Sequence, residues 1–377
     1  MRIGFDGKRA VQNFTGLGNY SRYVADILCH FYPENDYVLY APKKRENKRM
    51  NLLTGQYRQL TLAYPATSFW KKLSSLWRVW GITSQLEKEG IELFHGLSNE
   101  LPLNIHKSRI KSIVTIHDLI FLRYPQYYQS IDRKIYTYKF RKACENADKI
   151  IAISECTKRD IIRYFNIPDD KIEVVYQGCD VSFTHPATEE KKEEVRKKYQ
   201  LPDHYILNVG SIEERKNILA AVQALPMLPQ HIHIVIVGRR TGYTEKVEQF
   251  IKDNGLGERV HIISNVPFND LPAFYQSAEI FVYPSRFEGF GIPIIEALYS
   301  GIPVVAATGS CLEEAGGPDS IYVNPDDITG LADAFKQIYS NSDKRKNMVE
   351  KGREFAKRFS EKQQSEEIIN IYKKLIR

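Results

Sequence analysis

The chain has 377 residues, 43% hydrophobic and 26% charged, with a formal net charge of +7; that is material for two cores and excludes a disordered polyelectrolyte. Five scattered cysteines with no C-x-x-C pair argue against a disulfide framework and a cysteine zinc site and suit a reducing cytosol. The charged start Met1-Arg2-Ile3-Gly4-Phe5-Asp6 and the absence of any apolar run near ~18 residues lead us to expect a cytoplasmic protein, at most peripheral at the inner face of a membrane.

Short β-branched runs alternate with longer amphipathic stretches, the pattern of repeated βα units and parallel sheets. The first strands are expected at Arg2–Phe5, Tyr37–Tyr40, Leu93–His95, Ser112–Ile116, Lys149–Ile153 and Ile172–Val175, with helices near 19–31, 67–89, 131–146 and 155–165. Residues 1–182 hold 28 Lys+Arg against 19 Asp+Glu, so the excess of positive charge lies in this half. Such a balance fits anionic lipid or phosphorylated ligands, and equally a solvated lysine-rich surface. All three tryptophans fall in 69–80: Phe69, Leu73, Leu76 and Trp80 share one helical face, Trp70 and Trp77 a neighbouring one, with Lys71, Lys72 and Arg78 interleaved. That stretch suits a membrane interface or a core-packed amphipathic helix. Without a groove motif, no nucleic-acid partner is expected.

The charged segment Glu189–Glu194 marks a junction, after which strands are expected at Tyr205–Val209, Ile232–Val237, Val260–Ile263, Ile280–Tyr283, Pro303–Ala306 and Ser320–Val323. Chemistry is sought beyond the carboxyl ends of such strands. The richest stretch is Pro284-Ser285-Arg286-Phe287-Glu288-Gly289-Phe290-Gly291-Ile292-Pro293-Ile294-Ile295-Glu296-Ala297-Leu298. Gly289 and Gly291 permit positive φ and close approach to a ligand. The helix that starts near Gly291 offers a positive end to a phosphate. Glu288 and Glu296, about two turns apart on a helix of 3.6 residues per turn, can each accept from vicinal sugar hydroxyls. Upstream, Asn208-Val209-Gly210-Ser211-Ile212-Glu213-Glu214-Arg215-Lys216-Asn217 places a basic pair after a glycine-ended strand, a fit for a diphosphate.

E-x7-E from Glu288 to Glu296, followed by Ala-Leu-x-x-Gly-x-Pro-Val-Val, resembles the donor-site motif of glycosyltransferase family 4, retaining enzymes of the GT-B fold. Ser310–Gly317 is similar to that family's next loop and helix. The resemblance implies an α/β protein of two facing Rossmann-like doubly wound domains with a cleft between them. An acceptor domain over 1–182 would precede a donor domain over 183–359, with a last helix, 360–377, crossing back. It implies a diphosphate clamp at Arg215 and Lys216, although Ser211 stands where the family often has an arginine. It further implies donor contacts from Gly210, Ser211, Val266, Pro267, Gly289, Phe290, Gly291 and Glu296.

In the first half, Thr15-Gly16-Leu17-Gly18-Asn19-Tyr20 precedes a helix; Ser21 stands at the third glycine position of a dinucleotide fingerprint, so that fingerprint is unsupported. Gly16 and Gly18 still fit close passage over a phosphate or sugar, and in the resembled family such a loop lies between donor and acceptor. Val114-Thr115-Ile116-His117-Asp118 ends a strand with a His-Asp pair like the family's, which implies that His117 faces the donor sugar; Phe94-His95-Gly96-Leu97 is similar to a loop near the acceptor.

The expectation is a metal-independent hexosyltransferase without a cofactor, since no D-x-D triplet occurs. Glu288, Arg215, Lys216 and His117 would be its catalytic residues. Its donor is a nucleotide-sugar, GDP-mannose favoured over UDP-sugars by the overall likeness to bacterial mannosyltransferases. Its acceptor is a saccharide or lipid-linked saccharide of a surface polysaccharide or lipopolysaccharide. The alternatives are a noncatalytic nucleotide-sugar-binding protein and a nucleotide-sugar epimerase on the same scaffold.

Overall fold

A computed structural model describes residues 1–14 and 16–376; Thr15, which opens the first glycine-bearing loop, and Arg377 lie outside the described residues. The chain divides into two compact units, one of Met1–Gln177 with the C-terminal helix Glu361–Ile376, the other of Gly178–Ser360. The first break follows Gln177 rather than residue 182. The physical reason is Phe183, whose ring meets Tyr275 at 5.4 Å and Phe268 at 5.8 Å and so holds its segment to the second unit.

The first unit is built on seven strands: β1 Arg2–Asp6, β2 Asp36–Tyr40, β3 Leu60–Ala63, β4 Leu93–Gly96, β5 Lys111–Ile116, β6 Lys149–Ala152 and β7 Ile172–Val174. All neighbours pair in parallel, in the order β3-β2-β1-β4-β5-β6-β7. Alternate residues feed two cores. Ile3, Phe5, Tyr37 and Leu93 pack with the helix Gly16–Phe31 and with Ile368, Ile369 and Tyr372 of the last helix. Val38, Phe94, Val114 and Ile150 pack on the other face with Trp77, Leu86 and Phe140.

The second unit carries β8 Tyr205–Val209, β9 His233–Val237, β10 Val260–Ile263, β11 Ile280–Tyr283, β12 Val304–Ala307 and β13 Ile321–Val323, again all parallel, in the order β10-β9-β8-β11-β12-β13. In each sheet the direction of winding reverses beside the first strand, between β1 and β4 and between β8 and β11. Ligands of doubly wound sheets bind at such points.

Among the differences from the sequence expectation, two concern the sheet edge and the tryptophan segment of the first unit. Strand β3, Leu60–Ala63 at the sheet edge, was not among the expected strands. The single helix over 67–89 is broken. Thr67 caps Ser68–Lys72, Leu73 leaves the helical region, and a π turn at Trp77–Gly81 leads into Ile82–Lys88. A Cβ on Gly81 would meet the Trp70 ring at 2.6 Å, so the turn closes over Trp70. It also drives Trp77 to full burial, leaving Phe69, Leu73, Leu76 and Trp80 exposed.

Candidate active site

At the winding reversal of the second sheet, the loops after β8 and β11 meet. A Cβ at Gly238, just after β9, would sit 1.7 Å from the Gly210 carbonyl oxygen, so glycine is what lets the loops after β8 and β9 cross. Gly210 itself has φ +153° and lies against Lys216 Nζ. Asn217 turns the chain with φ +56° and donates from Nδ2 to Pro284 O at 3.2 Å and Pro325 O at 2.8 Å. The Arg286 amide donates to Arg215 O at 2.9 Å. These bonds fix the basic loop against the Glu288 loop.

The side chains converge on Glu288. Its Oε1 receives Arg215 Nη1 at 2.9 Å, the Ser285 hydroxyl at 2.9 Å and the Tyr283 hydroxyl at 3.2 Å. Arg215 also donates to the Phe287 carbonyl oxygen. Burial pushes the Glu288 carboxyl up, but Lys216 and Arg215 outweigh it and hold the group below the usual carboxylate range. Burial likewise works against the Arg215 charge, and Glu288 reverses it, so the guanidinium titrates above its ordinary value. Lys216 Nζ meets the Tyr283 hydroxyl at 3.3 Å and lies 5.7 Å from that ring's centre.

Gly291, at φ +133°, caps the helix Ile292–Ser300, with Pro293 in its first turn and no side chain at the cap. The start of a helix carries a positive dipole end that favours an anion. Cys311 Sγ lies 3.0 Å from Glu288 O and 2.8 Å from Phe290 O and braces the turn from below. One face of the helix carries Glu296, which accepts from the Tyr275 hydroxyl at 2.7 Å. Burial, helped by Asp180, lifts its carboxyl to about 7, against the pull of Tyr275 and Lys216. Lys216 therefore acts on both glutamates and ties them into one electrostatic site.

Most sequence-derived residues of this half come together: Gly210, Arg215, Lys216, Glu288, Gly291 and Glu296 share that site. Half-buried Gly289 lies within its turn. Ser211 donates to Glu213 at 2.6 Å. The Phe290 ring is buried against Phe359 at 5.6 Å, so its side chain serves the core and only its main chain faces the turn. Val266 and Pro267 follow β10, one strand further out, linked to the crossing by Ser264 Oγ donating to Gly238 O at 2.7 Å. Sequence reasoning missed Tyr283, Ser285 and Tyr275. Tyr283 and Ser285 flank the end of β11 and were legible by position, whereas Tyr275 comes from the separate helix Leu271–Ser277.

In the first unit the sequence-derived residues are held as follows. Gly18 lies inside the helix Gly16–Phe31, and a Cβ there would sit 2.0 Å from Asn13 O, so packing under that carbonyl requires the glycine. Gly16 is exposed at the first helical residue. His117 is 6% exposed, and both ring nitrogens are bonded. Nε2 meets Leu97 O at 2.9 Å, and Nδ1 meets Gln177 Nε2 at 3.2 Å. A carbonyl only accepts, so Nε2 carries the proton and Nδ1 receives from Gln177. Burial lowers its pKa to about 4, leaving a neutral, held ring rather than a poised base. His95 is internal too: it bonds Tyr372 of the last helix at 2.6 Å and Thr115 at 2.8 Å, and burial lowers it to about 3.

Among the described residues no three His, Cys, Asp or Glu side chains gather as a metal site. Residues 188–355 match the family Glycosyl transferases group 1, and residues 21–183 match Glycosyltransferase Family 4. The chain is 31% identical over 289 residues to O-antigen chain mannosyltransferase B of Escherichia coli, covering 75% of this chain and 74% of that one. It is 29% identical to O-antigen chain mannosyltransferase RfbU of Salmonella typhimurium, over 60% of each chain. The solved structure of HepE from Anabaena, in complex with UDP and glucose, superposes with a TM-score of 0.77 at 18% identity, covering 100% of both chains. The two Rossmann-like sheets, the E-x7-E turn and these matches make the chain a member of glycosyltransferase family 4, a hexosyltransferase of the GT-B fold.

Proposed function

We propose that the chain transfers mannose from GDP-mannose to a saccharide or lipid-linked saccharide of a surface polysaccharide, with retention of configuration, without a metal and without a cofactor. The observation that carries this reading is the cluster of Arg215, Lys216, Tyr283 and Glu288 beside the helix start at Gly291, which no side chain caps. The O-antigen mannosyltransferases among its relatives favour mannose and a surface glycan over other hexoses and acceptors.

In this reading Lys216 and the start of the Ile292–Ser300 helix take the diphosphate and stabilise the charge that grows on it as the sugar departs. Arg215 divides its donors between Glu288 and that diphosphate. The two glutamates accept from hydroxyls at either end of the donor. His117, neutral and held by Leu97 and Gln177, positions the sugar through its backbone and ring edge and moves no proton. Donor contacts from Gly210, Ser211, Val266, Pro267, Gly289, the Phe290 main chain and Gly16 belong to the same proposal. So does a peripheral position at the inner face of a membrane, with contact through 69–80, where Phe69 and Trp80 are 62% and 48% exposed.

The test is turnover in EDTA of GDP-mannose and a set of UDP-sugars, with the anomer of the product read by NMR. Release of GDP with a retained α-anomer supports the proposal. A melting shift with no release of any nucleotide would assign the chain to noncatalytic binding instead.

A further inference from the structure

The first sheet reverses its winding between β1 and β4, and the groups just beyond those strands include several with nothing to bind. β1 pairs Phe5 with His95, so Lys8 and Ser98 both lie three residues past that rung. β4 pairs Gly96 with Val114, so Asn99 and His117 stand in the same relation. Asn99, held at φ +63°, accepts the His117 amide at 2.7 Å and joins the two turns. At this level the side chains of Lys8, Arg9 and Ser98 have no hydrogen-bond or ion-pair partner among the described residues. Lys8 and Arg9 are half-buried on the helix Lys8–Gln12, and Ser98 is 4% exposed.

Asp6 and Glu100, the carboxylates that act on Lys8, are already engaged. Arg78 binds each of them at 2.5 Å, and Lys139 lies 3.7 Å from Glu100. Two cations and two anions balance in that cluster, which leaves the charges of Lys8 and Arg9 in surplus. Burial, then the Arg78 charge, lowers the Lys8 ammonium below its ordinary value. His117, lowered chiefly by burial, also feels Arg9. A half-buried cation without a counter-ion and a buried hydroxyl without a partner each cost stability. Their gathering at a winding reversal, where doubly wound sheets bind ligands, is what an anion site requires.

We propose that Lys8, Arg9 and the Ser98 hydroxyl form a site for a phosphate ester carried by the acceptor saccharide. Two positive charges and an O–H donor match a phosphate, which brings roughly two negative charges and several acceptor oxygens. A carboxylate would leave one cation unmatched. Lysine supplies a movable point charge and arginine a fork for two oxygens. The donor diphosphate has its own cations, Arg215 and Lys216, in the second unit, so this phosphate is given to the acceptor. That assignment rests on the transfer reaction proposed above, whereas the phosphate site rests on the first unit alone.

Calorimetric titration of inorganic phosphate, glucose 1-phosphate and mannose 1-phosphate into the full chain, in EDTA, with and without saturating GDP, tests it. Phosphate binding should persist when GDP is saturating. The double variant Lys8→Gln, Arg9→Gln should weaken it about tenfold or more, and Ser98→Ala about threefold, the worth of charged and neutral hydrogen bonds. Neither variant removes a side-chain bond of the folded chain, so melting temperature and GDP affinity should hold. At least one hexose 1-phosphate should bind about tenfold tighter than inorganic phosphate, through its sugar hydroxyls. Equal affinity for inorganic phosphate and both sugar phosphates would overturn the assignment to an acceptor. No binding by the wild type, loss of binding under GDP, or unchanged binding in the double variant would overturn the site. A chain that binds phosphate through Lys8 and Arg9 but binds no GDP would contradict the proposed function and leave this site in place.

Discussion

The two sheets reverse at equivalent places, yet they set different chemistry beyond their strand ends. Past β1 and β4, the charges form an ion cluster that also feels Lys8. Asp6 takes Arg78 at 3.1 and 2.5 Å, Arg78 takes Glu100 at 2.5 Å, and Lys139 closes the set. The histidines nearby are neutral and fully bonded. Past β8 and β11, Arg215 is shared between Glu288 at 2.9 Å and Glu213 at 3.6 Å, and Lys216 has a tyrosine hydroxyl as its hydrogen-bond partner. The same topology thus makes one end whose ion pairs hold shape and another whose lysine bonds a hydroxyl rather than a carboxylate. The proposed diphosphate would sit at the second.

The largest expected effect separates the two ends. Arg78→Met strands Asp6 and Glu100, which are only 5% and 17% exposed, so chemical denaturation should show a loss of about 3–5 kcal/mol. Binding of nucleoside diphosphate by the folded fraction should stay within about twofold, because the donor end is untouched. A stability change under about 1 kcal/mol would deny that the first end is a closed ion cluster. Next, Lys216→Ala should lower kcat/KM by about 10²–10³ through loss of charge stabilisation in the transition state.

Glu288→Gln should cost about 10–100-fold, the worth of charged hydrogen bonds. The effect should fall on kcat as well as KM, since Arg215 and Tyr283 lose their anchor. The smallest effect concerns Glu296, whose folded pKa of about 7 lies above its ordinary 4.5. Between these values the folded chain keeps a proton that the unfolded chain releases. Stability from this group therefore falls as pH rises across that window, and Glu296→Gln should flatten the slope. Donor KM should move oppositely, rising as pH drops below about 7, because a protonated carboxyl accepts fewer hydroxyl bonds.

The second unit was largely legible. Strand, glycine, basic pair and E-x7-E are contiguous signals, and Gly210, Lys216, Glu288 and Glu296 lie where those signals put them. What escaped came from distant segments: Tyr275 reaches Glu296 from another helix, and Gln177 reaches His117 across sixty residues of chain. The glycines of the first unit were read by type. Gly18 is fixed by the Asn13 carbonyl, a contact that spacing does not encode. The break in 67–89 follows from Trp70 closing over Gly81, a tertiary contact that overrides helical periodicity.

Lys216 and the loops around it are proposed to grip a diphosphate. Calorimetric titration of GDP and of guanosine, in EDTA, into wild type and Lys216→Met measures it directly. The account predicts that the variant binds GDP about tenfold or more weakly, one lost charged contact, while guanosine binds both proteins alike. Equal GDP affinity in the two proteins would contradict it.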